Sequence, residues 1–156
     1  MKKRVGQIIT AVVLLLSDQL TKAWASSQLS GKASIEIIKG FFYLTYAENS
    51  GGAWSILQGQ TVFFIIVGFV AVAVFIYWYV KSGRILSQIS LMLIISGTIG
   101  NLIDRCLMVN VRDFLDFYIF GYDFPIFNVA DSCLTIGMIL MLVDIVLEEK
   151  LWLTKK

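Results

Sequence analysis

An all-α membrane protein is the fold class this sequence predicts: a four-transmembrane-helix bundle with a small extracytoplasmic β-rich subdomain and both termini cytoplasmic. Three observations lead there. Apolar residues make up 58% of the 156 and charged residues only 15%, with a mean hydropathy of +0.79, which is a membrane composition. Four segments, 5–25, 62–80, 85–108 and 126–147, are long and apolar enough to cross a hydrocarbon core of about 30 Å, which takes roughly 20 helical residues. Finally, Lys2, Lys3, Arg4, Lys81, Arg84, Lys150, Lys155 and Lys156, eight of the thirteen basic residues, flank the spans on one side, the bias that marks cytoplasmic flanks. Connections 26–61 and 109–125 then face outward, and 1–156 is expected to form a single membrane domain.

The first span begins like a secretory leader, with a basic start at Lys2–Arg4, an apolar stretch over 8–16 and the small-x-small ending Ala23-Trp24-Ala25. Against cleavage, Asp18, Thr21 and Lys22 fall at i, i+3 and i+4, one helical face that can turn into a bundle. The outer connection supplies the β-rich segment, 35–59, whose run IEIIKGFFYLTYA is dense in branched and aromatic residues. Phe41, Phe42, Tyr43, Tyr46 and Trp54 suit the headgroup zone, and Asn49-Ser50-Gly51-Gly52 breaks the strand pattern. The second span carries no charge within 62–80; its role is packing and lipid contact, with Gly68 and Ala71 permitting close helix approach.

In the third span Gly97, Gly100, Asn101, Asp104 and Arg105 form a single polar, glycine-lined stripe. Such stripes face a bundle interior or a wet cavity; the plainer alternative makes Asp104 and Arg105 interface anchors. The fourth span opens at Pro125 and places Asn128, Asp131, Ser132 and Thr135 on one face. Here Asn128 and Asp131 form either a capping box or part of a reaction centre. Asp144, near the inner end, is read as reaching for water or Lys150.

Composition also removes chemistries. With no histidine, a Ser-His-Asp triad and the common zinc sites are excluded, and neither metal nor cofactor is expected. A net charge of +2 argues against a nucleic-acid partner. Cys106 and Cys133 lie near the outer ends of spans, where a disulfide is conceivable; both are read as small buried apolar residues.

Taken across the chain, the polar residues collect toward one leaflet: Asp18, Lys22, Asn49, Asn101, Arg105, Asp113, Asn128 and Asp131. Two carboxyls held close in a dry site tend to share one proton. The ionised member can then draw a proton from an attacking water while the protonated member donates to the carbonyl oxygen, which is aspartyl peptidase chemistry at Asp113 and Asp131. Two other classes compete. A proton- or ion-coupled transporter would use Asp18, Asp104 and Asp131 as a relay, but it needs polar groups spread through the bilayer depth. A serine hydrolase pairing Ser17 with Lys22 meets poor geometry, because residues five apart on a helix diverge by about 140°.

The strings DQLTK (18–22), NSGGAW (49–54), GNLIDR (100–105), VRDF (111–114) and FNVADS (127–132) resemble, in order and in register, those of the lipoprotein signal peptidases, or signal peptidase II. The resemblance implies a bacterial cytoplasmic-membrane aspartyl endopeptidase, multi-pass and needing no cofactor. Such an enzyme removes the signal peptide from prolipoproteins, cutting before a diacylglyceryl-modified cysteine near the extracytoplasmic face. It implies Asp113 and Asp131 as the catalytic pair, with Asp18, Lys22, Asn49, Gly51, Gly100, Asn101, Arg105, Asn128 and Ala130 supporting them or holding substrate. Its partners are then lipid-modified precursors and membrane lipid, and the bundle is expected to work as a monomer. Two positions depart from the family pattern, which has alanine at Gly52 and an aliphatic residue at Arg112; the Arg112 side chain is expected to turn outward to lipid phosphate.

Overall fold

A computed structural model describes residues 2–52, 54 and 56–153 of the chain. Lys155 and Lys156, counted above among the flanking cations, lie outside the described residues, as do the side chains of Lys2, Lys3 and Lys150. The element order is α1 (Lys2–Leu29), β1 (Ile35–Ile38), β2 (Phe42–Asn49), α2 (Thr61–Lys81), α3 (Ile85–Met108), β3 (Val111–Ile119), β4 (Tyr122–Asp123) and α4 (Val129–Leu153). All four helices are long and apolar enough to cross a membrane. Their outward faces are apolar, as Leu20, Val62 and Leu107 illustrate, and they are exposed in the absence of lipid.

The expected spans correspond to these helices with shifted ends in α1 and α4, the latter running on to Leu153 where 147 was expected. α1 extends past residue 25 to Leu29, because Ala25 and Leu29 are buried against Phe114, which gives the last turn an apolar seat. Its buried Asp18 and Lys22 make α1 a wall of the bundle. α4 starts at Val129 and not near 126, because Phe127 is taken by the sheet. Its N–H donates to Leu115 O at 3.0 Å and its carbonyl accepts from Leu115 N at 2.8 Å.

The larger correction concerns the sheet. Four strands in the order β1-β2-β3-β4 form it, and two of them come from connection 109–125, beyond the 35–59 segment expected to be β-rich. The fold is therefore four helices plus an antiparallel sheet, and the label all-α understates it. β2 pairs with β3 in the register Ala47↔Asp113, Glu48↔Arg112 and Asn49↔Val111. Stacked rings reinforce the seam: Phe42 on Phe117 at 4.5 Å and Phe117 on Phe127 at 5.6 Å between centroids. Of the aromatic residues expected at the headgroup zone, Phe41 and Trp54 are exposed while Phe42, Tyr43 and Tyr46 are half-buried in the sheet.

α3 is the hub, packing on each of the other three helices. Its glycines explain the closeness. A Cβ on Gly97 would lie 2.3 Å from Ala130 O, and one on Gly100 would lie 2.7 Å from Asp18 Oδ2, so only hydrogen fits at either place. Gly68 of α2 meets Leu102 in the same way, as expected of a packing helix. At the end of the bundle remote from the sheet, Asp144 finds a partner not foreseen: Arg84 Nη2 at 2.8 Å, with Glu148 on the same guanidinium at 3.1 Å. That ion pair ties the start of α3 to the end of α4.

Candidate active site

Asp113 sits on β3, where successive side chains leave opposite faces of the strand. Alternation sends Arg112 one way and Asp113 the other, into a cavity of about 620 Å³ that Asp131, Asn101, Asn49 and Arg105 also line. Asp131 arrives from the first turn of α4. Two carboxyls far apart in sequence thus share one cavity wall, and Asp113 is only 2% exposed.

Asn128 joins them. Its Nδ2 donates to Asp113 Oδ1 at 2.6 Å and to Asn101 Oδ1 at 3.3 Å, while its Oδ1 accepts the Asp131 N–H at 2.9 Å. Asp131 Oδ2 returns the contact by accepting the Asn128 N–H at 3.2 Å, which completes a capping box. The two readings of this motif therefore merge: one oxygen of Asp131 caps the helix, and the other accepts Asn101 Nδ2 at 2.7 Å. Capping fixes where the carboxylate points.

Behind Asn101 lies a buried charged wall. Lys22 Nζ donates to Asn101 Oδ1 at 2.9 Å and pairs with Asp18 Oδ2 at 2.9 Å. The other oxygen of Asp18 accepts the Ala130 N–H at 2.8 Å, so a carboxylate sits at the start of α4, where free N–H groups favour negative charge. Gly100 leaves the room this requires. On the opposite wall, Asn49 Oδ1 accepts the Gly51 N–H at 2.9 Å, and Arg105 Nη2 donates to Gly51 O at 2.7 Å with its guanidinium 4.8 Å above the Phe64 ring.

Burial pushes the Asp113 carboxyl up to about 7, and the neighbouring charge of Asp131 adds to this. Amide donors Asn128 and Asn49 and the Lys22 ammonium oppose the rise without cancelling it. A carboxyl in that range can hold a proton near neutrality and release it during a reaction.

The structure thus brings Asp18, Lys22, Gly100, Asn101, Asp113, Asn128, Ala130 and Asp131 into one connected unit, with Asn49, Gly51 and Arg105 across the cavity. Arg112 corrects an expectation, since it does not turn outward to lipid. It forks onto Asp104, Nη2 to Oδ1 at 2.7 Å and Nε to Oδ2 at 3.1 Å, because strand alternation aims it at α3. Asp104, fully buried, is then no interface anchor. Cys133 is buried as expected, but Cys106 lies exposed off the polar stripe, and both thiols are free. Ser17 is exposed whereas Lys22 is fully buried, which removes the serine–lysine pairing. The sequence reading missed Gln19, whose amide nitrogen lies within 3.3 Å of Asp18, Gly100 and Asp104 acceptors; a glutamine beside Asp18 in an apolar helix was the available signal.

Residues 10–147 match the family model for signal peptidase (SPase) II. The lipoprotein signal peptidase of Staphylococcus carnosus (strain TM300) is 44% identical over 144 residues, covering 91% of this chain and 90% of that protein. Its counterpart in Staphylococcus aureus (strain JH9) is 41% identical over 138 residues, covering 87% and 85%. Among solved structures, a bacterial membrane enzyme determined by the in meso method at 2.3 Å superposes with a TM-score of 0.85 at 38% identity, over 92% of this chain and 89% of that one. A second, at 1.9 Å, gives 0.82 at 39% identity, over 90% and 92%.

Proposed function

The chain belongs to the signal peptidase II family, a multi-pass membrane protein of the lipoprotein-processing class, and from that premise we propose that it is an aspartyl endopeptidase acting inside the membrane. Its substrates are prolipoproteins whose cysteine carries diacylglycerol, and the bond cut is the amide just before that cysteine. The observation that carries this reading is the Asn128 side-chain amide, whose nitrogen donates to Asp113 Oδ1 and whose oxygen accepts the Asp131 backbone N–H, tying together two acids that line one cavity.

The chemistry follows from the arrangement. Asp131, with an accepted hydrogen bond on each oxygen, serves as the ionised partner, and Asp113, whose carboxyl holds its proton up to about 7, as the protonated one. Water attacks the scissile carbonyl carbon and gives a proton to Asp131, while Asp113 gives its proton to the carbonyl oxygen. The tetrahedral intermediate collapses as its C–N bond breaks. A proton from Asp131 passes to the departing amine nitrogen, the new carboxyl group remains on the signal peptide, and Asp113 recovers a proton from the collapsing hydroxyl.

Access suits a lipid-anchored substrate. Ile136 and Met138 line the cavity and are also exposed on the outer side of α4, so the site opens sideways between helices. A precursor reaches it without leaving the bilayer, which its acyl chains resist by about 0.8 kcal/mol per buried CH₂. Backbone amides of the unwound signal peptide are costly in lipid; Arg105 and Asn49 on the far wall offer them polar partners. The cavity end of the bundle is assigned to the extracytoplasmic side of the bacterial cytoplasmic membrane, since Arg4, Lys81 and Arg84 sit at the other end.

Substitution of either acid tests the proposal. Asp113→Asn and Asp131→Asn each should abolish cleavage of a lipid-modified precursor by the purified enzyme, while both variants still insert and unfold cooperatively on heating. Measurable turnover in either folded variant rejects the pair.

A further inference from the structure

Arg112 has no part in the cleavage just described, yet it is 9% exposed, almost as buried as the residues that do. Its guanidinium and backbone N–H together place three hydrogen bonds on Asp104: Nη2 to Oδ1 at 2.7 Å, Nε to Oδ2 at 3.1 Å and N to Oδ2 at 3.0 Å. Gln19 Oε1 accepts a further bond from Nη2 at 3.2 Å and keeps the fork in place. Such a planar, two-pronged match is specific to arginine on a carboxylate.

Lys22 explains why this matters. Its ammonium lies among three oxygens, Asp18 Oδ2 at 2.9 Å, Asn101 Oδ1 at 2.9 Å and Asp104 Oδ2 at 3.7 Å. The first two are hydrogen bonds and the third is not. Asp104 is held off because Arg112 already occupies both its oxygens. Asp18, Lys22, Asp104 and Arg112 thus form a buried set of two acids and two bases with no net charge.

We propose that Arg112 is a positioning residue for the catalytic pair: by holding Asp104 it leaves Lys22 bound to Asn101, and Asn101 then presents its Nδ2 to Asp131. Asn101 has one carbonyl oxygen and one amide nitrogen, so pinning the oxygen with Lys22 fixes which way the nitrogen faces. Without the guanidinium, Asp104 is a buried carboxylate short of a counter-charge, and Lys22 is the cation nearest to it. In a medium less polar than water the attraction at that separation far exceeds thermal energy. Lys22 swings toward Asp104, Asn101 Oδ1 keeps only the longer bond from Asn128 Nδ2 at 3.3 Å, and the hydrogen bond to Asp131 loosens.

The inference rests on the proposed peptidase activity, and kinetics on the full-length enzyme with a lipid-modified precursor test both separately. Arg112→Met should lower kcat about tenfold and leave KM within about twofold, because the substrate walls formed by Asn49, Gly51 and Arg105 are untouched. Adding Asp104→Asn to Arg112→Met should restore most of kcat, since the charge that draws Lys22 away is gone. A purely structural clamp between α3 and β3 predicts no such recovery, because the double variant lacks that ion pair as well. A kcat for folded Arg112→Met equal to the parent's overturns the inference, and so does a double variant still tenfold slow. If Arg112→Met fails to accumulate, the double variant decides alone: turnover near the parent's supports the role and a tenfold loss refutes it. A parent enzyme that leaves the lipid-modified precursor intact overturns the functional reading beneath it.

Discussion

Asn128 spends every hydrogen-bonding group of its side chain within the site: one N–H on Asp113, one on Asn101, and the oxygen on the Asp131 N–H. Beside it, Asp113 stores a pH-dependent stability cost. Its folded carboxyl is raised from 3.8 to about 7, so between those values the native state holds a proton the unfolded chain has already released. Stability therefore falls as pH rises through that window, by roughly 4 kcal/mol in total, and is unaffected below it where both states are protonated. Asp113→Asn removes the charge while keeping an oxygen for Asn128. Its thermal midpoint in detergent should exceed the parent's at pH 8 and match it near pH 4; equal midpoints at both pH values would contradict the buried charge. Much of the cavity lining was legible in the sequence, because Asp18, Lys22, Asn101 and Asp131 stand out in apolar helices, whereas Asp113, on a strand, stood out through its motif. The partner of Arg112 was not legible, because strand alternation, invisible until 111–119 is known to be a strand, decides which way each side chain of the Arg112-Asp113 pair turns.

At the level of elements, the contact of α3 with α4 sets the precision of the site. Gly97 faces the Ala130 carbonyl and Leu134, where an added Cβ would stand 2.3 Å and 2.8 Å away. Backbone cannot yield as a flexible side chain can, so Gly97→Ala pushes the first turn of α4 outward. We expect a loss of about 1–3 kcal/mol and a lower cleavage rate, because Asp131 sits on the displaced turn. Gly83→Ala, with nothing within 4 Å of the new Cβ, should leave both unchanged; thermal unfolding and precursor cleavage of the two variants check this. Helices were readable to within a few residues, since length and hydropathy fix them independently of their neighbours. β3 escaped notice because VRDFLDFYI interrupts its aromatic residues with three ionisable side chains whose partners are all tertiary: Asp104 for Arg112, Thr45 Oγ1 at 2.6 Å for one oxygen of Asp116 and Asn128 for Asp113. Local propensity cannot anticipate partners from other parts of the chain.

For the molecule as a whole, orientation in the bilayer decides what reaches the cavity. In a Cys106→Ser, Cys133→Ser background, Phe120→Cys, at the fully exposed turn between β3 and β4, should react with a membrane-impermeant maleimide on intact spheroplasts. Gly83→Cys, between α2 and α3, should react only after the membrane is opened. The reverse pattern would place the cavity on the cytoplasmic side. The Ala130 N–H donated to Asp18 Oδ1 spans 112 positions of sequence, and it carries a consequence for synthesis. A chain emerging from the ribosome N-terminus first holds Asp18 and Lys22 long before it holds Asn128 and Asp131. If the proposed function holds, the newborn polypeptide is inert until its last helix enters the bilayer, and ripens to full competence in one late step.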